Sequence, residues 1–190
     1  MREIQLTRGL VTHVDDADYN WLSQWRWQAE DRKRKDRVQY YARTNMRING
    51  RMRRVYMRRL ILNPSQGLEV DHIDGNALNN QRSNLRLATH AENMRNQAKH
   101  GGETSSAYKG VFWHKRCSRW AASILANGKR KHLGLFDDEI EAAYAYDDAA
   151  RLHYGEFARV NFPERVPMFE PVLLDSPLVQ LPLFELEAAS

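Results

Sequence analysis

The sequence predicts an α+β protein: a β-rich N-terminal segment, a small β-β-α module, a three-stranded antiparallel sheet packed on one helix, and a disordered C-terminal tail. Three observations carry this reading. Short aromatic and β-branched runs are punctuated by Asn49-Gly50 and Asn127-Gly128, the pair favoured in type I′ hairpin turns because both central residues need positive φ. Thr89 followed by Glu92 makes a reciprocal capping box, which marks a helix start. Residues 138–155, DEIEAAYAYDDAARLHYG, read as one helix with Asp138 at the N-cap, Glu141 at N3 and Gly155 at the end.

The elements follow in order. In the basic, β-rich segment 1–65, IQLTRGLVTHV is a hairpin around Gly9. WRWQA and VQYYART are short strands separated by the charged loop EDRKRKDR. RINGRM holds the turn of a second hairpin, whose strand GRMRRVYMRRLIL runs to the turn NPSQG. In 66–97, LEVDHI and NLRL are strands joined by the turn-rich DGNALNNQRS, and the helix from Thr89 follows. The Gly and Ser of AKHGGETSSA, 98–107, mark a flexible linker. In 108–163, YKGVFWHK, RWAASILA and KRKHLGLF are three strands. The middle one alternates, with Trp120, Ala122, Ile124 and Ala126 on one face and Arg119, Ala121, Ser123 and Leu125 on the other. Alanines at 142, 143, 145, 149 and 150 let the following helix approach this sheet closely. Residues 164–190 are acidic, contain several prolines and show no helical period, which reads as a disordered tail.

Composition excludes several classes. No apolar run approaches the ~18 residues of a membrane span, and MREIQLTRGL lacks the apolar core of a signal peptide, so the expected location is cytoplasmic. The single cysteine, Cys117, excludes an intramolecular disulfide and a Cys-rich zinc site. Charge is unevenly spread: residues 1–65 hold 15 Lys and Arg against 7 Asp and Glu, whereas 164–190 hold 1 against 5. A basic N-terminal third points to a polyanion, nucleic acid before membrane.

The stretch EVDHIDGNALNNQRSNLRLATHAEN, 69–93, brings a carboxylate, an imidazole and amides together between strand and helix signals. It resembles the H-N-H nuclease motif in its β-β-α-metal form, in the variant with Asn at the third position. The matching residues are His72, Asn84 twelve positions on and Asn93 nine beyond that, with Asp71 directly before the His. The resemblance implies His72 as general base, Asp71 and Asn93 as holders of one divalent cation, and Asn84 as the brace that aims the His. The chemistry wants these types independently. Phosphodiester hydrolysis needs a base near neutrality, which imidazole supplies, and a cation to neutralise charge on the phosphate and leaving oxygen. Two oxygen ligands suit Mg²⁺ or Mn²⁺ and disfavour zinc. His90 and His100 read as exposed bystanders, and His13 and His153 earn no role.

Residues 108–163 are similar to the plant ethylene-response-factor (APETALA-type) DNA-binding domain, as also found attached to phage and bacterial homing nucleases. The resemblance rests on Tyr108, Gly110-Val111, Trp120-Ala121-Ala122, Leu133-Gly134, Phe136-Asp137, AAYAYDDAA and NFP at 161–163. It implies that the sheet lies in the major groove, with Lys109, His114, Lys115, Arg116, Arg119, Ser123, Arg130 and His132 facing DNA. Phe112, Leu125, Ser123 and His132 depart from the plant pattern, so the plant target is not carried over. The N-terminal third resembles the segment preceding the motif in phage-type enzymes, and Arg51, Arg53, Arg54, Arg58 and Arg59 are candidate phosphate contacts. In the tail, Gln180, Leu181, Leu183 and Phe184 of QLPLF resemble the peptide by which bacterial replication proteins dock on the sliding clamp. The expected function is a monomeric, site-recognising DNA endonuclease of homing type in a bacterial or phage-infected cell. The alternative is a DNA-binding regulator with an inactive nuclease motif.

Overall fold

The computed structural model describes residues 1–34, 37–99 and 104–166. The tail from 167, and with it Gln180, Leu181, Leu183 and Phe184, lies outside the described residues, as does His100. The fold is α+β, and the described residues form four small antiparallel sheets. Strands β1 (Arg2–Gln5) and β2 (Val11–Val14) pair as the expected hairpin. Helix α1 (Asp16–Leu22) follows. Next come β3 (Gln28–Arg34), β4 (Arg37–Ile48) and β5 (Arg51–Tyr56), a three-stranded sheet with β4 central. Helix α2 (Met57–Leu62) leads to β6 (Glu69–His72), β7 (Leu85–Ala88) and helix α3 (His90–Asn96). Strands β8 (Val111–His114), β9 (Arg119–Ala126) and β10 (Lys129–Phe136) form the last sheet, with β9 central, against helix α4 (Glu139–Tyr154).

Local signals are realised where they were strongest. Both Asn-Gly pairs have positive φ, 51° and 75° at Asn49-Gly50 and 52° and 73° at Asn127-Gly128, and each joins neighbouring antiparallel strands. The capping box of Thr89 and Glu92 is formed in both directions. Asp138 caps α4 by accepting from the Ile140 and Glu141 amides.

Three expectations fail. The charged loop EDRKRKDR is mostly strand: β3 runs to Arg34 and pairs residue by residue with β4, because an edge strand tolerates charged side chains when its backbone is paired on one side. VYMRRLIL is not one strand. It breaks at Tyr56 into α2, which buries Met57 and Ile61 in the core. Helix α1 had no expected counterpart, and it buries Leu22 and Asp18. At the end of AKHGGETSSA, Ser105 Oγ accepts from the Trp113 amide of β8 and Ser106 Oγ from the Tyr108 amide.

Two kinds of core hold the chain. Ile4, Leu6, Val14, Leu22, Trp27, Met57, Ile61, Val70 and Leu85 form one cluster, so the hairpin β6–β7 packs on the same core as β1, β2, α1 and α2. The second core is alanine-rich: Ala122, Ala142 and Ala143 pack with Val111, and Ala150 with Ile124 and Tyr146.

Candidate active site

Asp71 and His72 end β6, where the hairpin register sets Asp71 opposite Arg86 and His72 opposite Leu85. Asp71, His72 and Asn93 line one cleft of about 710 Å³, together with Glu69, Asp74, His90 and Asn96 from the β-β-α module and Arg32, Tyr41, Tyr56, Arg58 and Arg59 from the N-terminal segment. Asn84 lies behind this wall. Its Oδ1 accepts from the Asp74 amide, and its Nδ2 donates to Asp74 Oδ1 and Asn79 O. Asp74 also accepts from the Asn76 amide and Asn79 Nδ2. The amide-rich loop 73–84 is therefore a self-satisfying network, consistent with the bracing expected of Asn84. Strand β2 and α1 grip it from outside: the His13 amide donates to Leu78 O, the Asn80 amide to His13 O, and Arg82 makes two hydrogen bonds to Asp18.

His72 is 5% exposed. Burial, with the charge of Arg58 acting in the same direction, pushes its pKa down from 6.5 to about 4, so the imidazole is neutral at pH 7. Its tautomer follows from its neighbour. Asn80, 1% exposed, spends its Nδ2 on Thr12 Oγ1 at 2.8 Å and Ala77 O, so the Oδ1 that faces His72 Nε2 at 3.3 Å must accept. The ring proton sits on Nε2, and Nδ1 carries the free lone pair. Asn80 had only a loop residue's reading in the sequence, where nothing separates it from Asn76 or Asn79.

Asp71 presents its two oxygens differently. Oδ2 accepts from Arg86 Nε at 3.0 Å, Arg86 Nη2 at 2.9 Å and Asn96 Nδ2 at 2.9 Å. No hydrogen bond among the described residues uses Oδ1. Asn93 donates to Glu69, which His90 also contacts at 2.9 Å, and these bonds hold the Glu69 carboxyl below the usual carboxylate range. The amide hydrogen-bonded to Asp71 is thus that of Asn96, one helical turn beyond Asn93, and His90 is exposed as expected, at the rim of the cleft. Among the described residues no group of three or more His, Cys, Asp or Glu could hold a metal ion. Asp71 Oδ1 and the Asn93 amide oxygen, which line this cleft, are of the hard, all-oxygen type that would suit a divalent ion completed by water or phosphate.

Arg58 faces the same cleft from α2, above Tyr41 and Tyr56 with ring centroids 5.0 and 5.7 Å away. Burial pushes its pKa down, its Nε has no hydrogen-bond partner, and no ion pair among the described residues involves it. Arg32 flanks the same two rings. The site therefore holds a half-buried cation, in the field of the Glu69 carboxylate, whose Nε is left for a further acceptor.

The remaining candidates divide. Arg51, Arg53 and Arg54 are exposed on β5, although Arg54 also pairs with Glu30. Lys115, Arg116, Arg130 and His132 are exposed around the last sheet, and His114 is half-buried with its Nδ1 accepting from the Cys117 amide. Arg119 is held in a two-pronged pair with Asp137. Ser123 is buried, opposite His132. Lys109 departs from expectation: its Nζ turns away from the sheet face and donates to Arg95 O and Gln97 O at the end of α3. Those bonds sit in a partly desolvated position that pushes its pKa down to about 8.

The site thus sets a neutral imidazole beside a carboxylate, on a hairpin backed by a capped helix. Residues 63–95 match the family model described as HNH endonuclease. Protein 3.8 of Escherichia phage T7 is 38% identical over 94 residues, 50% of this chain and 76% of that protein. The chain carries an HNH endonuclease domain and belongs to the family of that phage protein. An uncharacterized HNH endonuclease, L560, of Acanthamoeba polyphaga mimivirus is 42% identical over 92 residues, 48% of this chain and 46% of the relative. The dehydration-responsive element-binding protein 2A of Oryza sativa subsp. indica is 46% identical over 69 residues, 35% of this chain and 25% of the relative. The chain thus spans less than half of the last two. No solved structure matches it. Among the described residues no helix is long and apolar enough to cross a membrane.

Proposed function

We propose that this protein is a site-recognising DNA endonuclease of homing type, in which the cleft around His72 cuts one phosphodiester. The observation that carries the reading is the neutral, buried His72 with its Nε2 proton held by Asn80, in a cleft shared with Asp71, Asn93 and the unpaired Arg58.

His72 Nδ1 takes the proton of a water whose oxygen forms the new bond to phosphorus, and Asn80 keeps the ring from turning its other nitrogen to the task. Arg58 binds a non-bridging phosphate oxygen, which supplies the anion its burial lacks. The bond from phosphorus to the 3′-oxygen breaks, and that oxygen is protonated by solvent. A divalent ion such as Mg²⁺ or Mn²⁺, held through Asp71 and Asn93, would neutralise charge on the phosphate and the leaving oxygen. Asn84 braces the loop that aims His72. The exposed arginines of β5 and the basic groups of the last sheet grip duplex DNA on either side. One such centre per monomer nicks a single strand.

Incubation of supercoiled plasmid with protein and Mg²⁺ tests this. Nicked circles are expected before linear DNA. His72→Ala should lower cleavage by about 10²- to 10⁴-fold while gel-shift affinity is retained. Equal cleavage by that variant, or full activity in chelator, would sink the mechanism. Binding without any cleavage by the unaltered protein would favour a regulator with an inactive nuclease motif.

A further inference from the structure

We infer that the C-terminal module completes the nuclease centre: the turn Gly155–Phe157 holds Arg86, and Arg86 positions the Asp71 carboxylate for its cation. The inference rests on the reading of Asp71 as a cation ligand.

Arg86 spends its guanidinium on two partners at once. Nε and Nη2 fork onto Asp71 Oδ2, and Nη1 donates to Glu156 O in the 3-10 turn that follows α4. The guanidinium also lies 4.0 Å from the centroid of the Phe157 ring. The pair is buried, with side chains 10% and 8% exposed. A hairpin of four-residue strands leaves an arginine in water unless something covers it, and Phe157 with Glu156 is that cover. With Arg86 and Asn96 on Oδ2, the carboxylate cannot rotate, and Oδ1 is left for a ligand. Groups that hydrogen-bond a metal-ligating carboxylate orient it and raise its effective affinity.

Further ties make the contact an interface rather than a touch. Arg95 of α3 stacks 5.0 Å from the Tyr154 ring centroid. Lys109 Nζ closes the C-terminal end of α3, and Arg159 Nη1 donates to Asp74 O at 3.3 Å. All meet the catalytic loop or the helix behind it.

A competing role has the opposite sign. Were Arg86 only a charge that neutralises Asp71, it would compete with the cation, and loosening it would tighten metal binding. Mn²⁺ binding to the full chain without DNA, read by calorimetry and by the loss of free-ion electron paramagnetic resonance signal, separates the two. Phe157→Ala and Arg86→Lys are expected to weaken Mn²⁺ by about 10- to 100-fold, with far-ultraviolet circular dichroism unchanged. Arg95→Ala, which cuts a different tie, should leave the affinity within about threefold. Unchanged or tighter binding in Arg86→Lys overturns the inference, and so does equal weakening by Arg95→Ala. If Phe157→Ala fails to fold, Arg86→Lys alone decides. Asp71→Asn on the same titration distinguishes the two levels: retained Mn²⁺ binding removes the ligand reading itself, whereas loss there with none in Arg86→Lys removes only the present inference.

Discussion

The two cores of this protein are built on different principles. The N-terminal core joins long aliphatic chains and Trp27 from β1, β2, α1, α2, β6 and β7, and a polar network of Thr12, Asn80 and His72 is set against it. The C-terminal core sets Ala122, Ala142, Ala143 and Ala150 against Val111, Ile124 and Tyr146, so helix and sheet approach closely. Large side chains leave space that can be filled by buried, hydrogen-bonded polar groups. Small ones bring backbones together and leave the outer sheet face free. In the proposed reading the first region carries the chemistry and the second a surface for recognition.

Replacing Gly110 breaks the comparison most sharply. A Cβ there would lie 1.9 Å from the Tyr146 ring, on a backbone with φ of +80°. Gly110→Val should therefore cost about 2–5 kcal/mol, summing overpacking and a left-handed backbone. Calorimetry would show the transition of the last sheet lowered. If both regions unfold together at a lower temperature, the two cores are one cooperative unit, as the Arg86 contact favours.

Leu22→Ala attacks the other core. This side chain is 0% exposed, and its truncation should destabilise by about 2–5 kcal/mol in urea titration, with cleavage falling only as the folded fraction falls.

The polar inlay is next in size. His72 has a folded pKa of about 4 against 6.5, so the unfolded chain binds the extra proton between those values. Its contribution, about 3 kcal/mol, is present above pH 6.5 and lost as pH falls from 6.5 to 4. The pH slope of stability in that window should be shallower in His72→Gln. Asn80→Ala should cost about 1–3 kcal/mol by leaving Thr12 and His72 without a buried partner. It should also slow cleavage beyond any loss of folded protein. Cleavage at the wild-type rate would remove Asn80 from the site.

The smallest effects are expected on the recognition surfaces. Arg130→Ala and Arg51→Ala should change stability by less than about 0.5 kcal/mol. Each should lower the salt dependence of DNA binding by about one counterion. An unchanged slope in either variant would mean that its surface does not meet phosphate.

Much of the fold was legible because its signals are local. Asn-Gly turns, the Thr89 box and the Asp138 cap act over three or four residues, and the spacing of His72, Asn84 and Asn93 is a property of one hairpin and one helix. Helix α2 was missed because VYMRRLIL suits either conformation. What selects helix after Tyr56 is the burial of Met57 and Ile61 against strands distant in sequence. Lys109 was misplaced for the same reason, since its partners are the carbonyls at the end of α3.

By itself, then, the sequence determined the class of fold, the residue types of the cleft and the order of its elements, because hydrogen bonds between near neighbours decide those. Only the tertiary structure decided that Asn80 holds His72, that Arg58 enters the cleft without an ion pair among the described residues, and that Arg86 joins Asp71 to the turn after α4. The Arg86 contact with the turn after α4 joins residues far apart in the chain, and the Asn80 contact closes a buried loop eight positions wide. Their energies depend on burial, and burial exists only once the cores have formed.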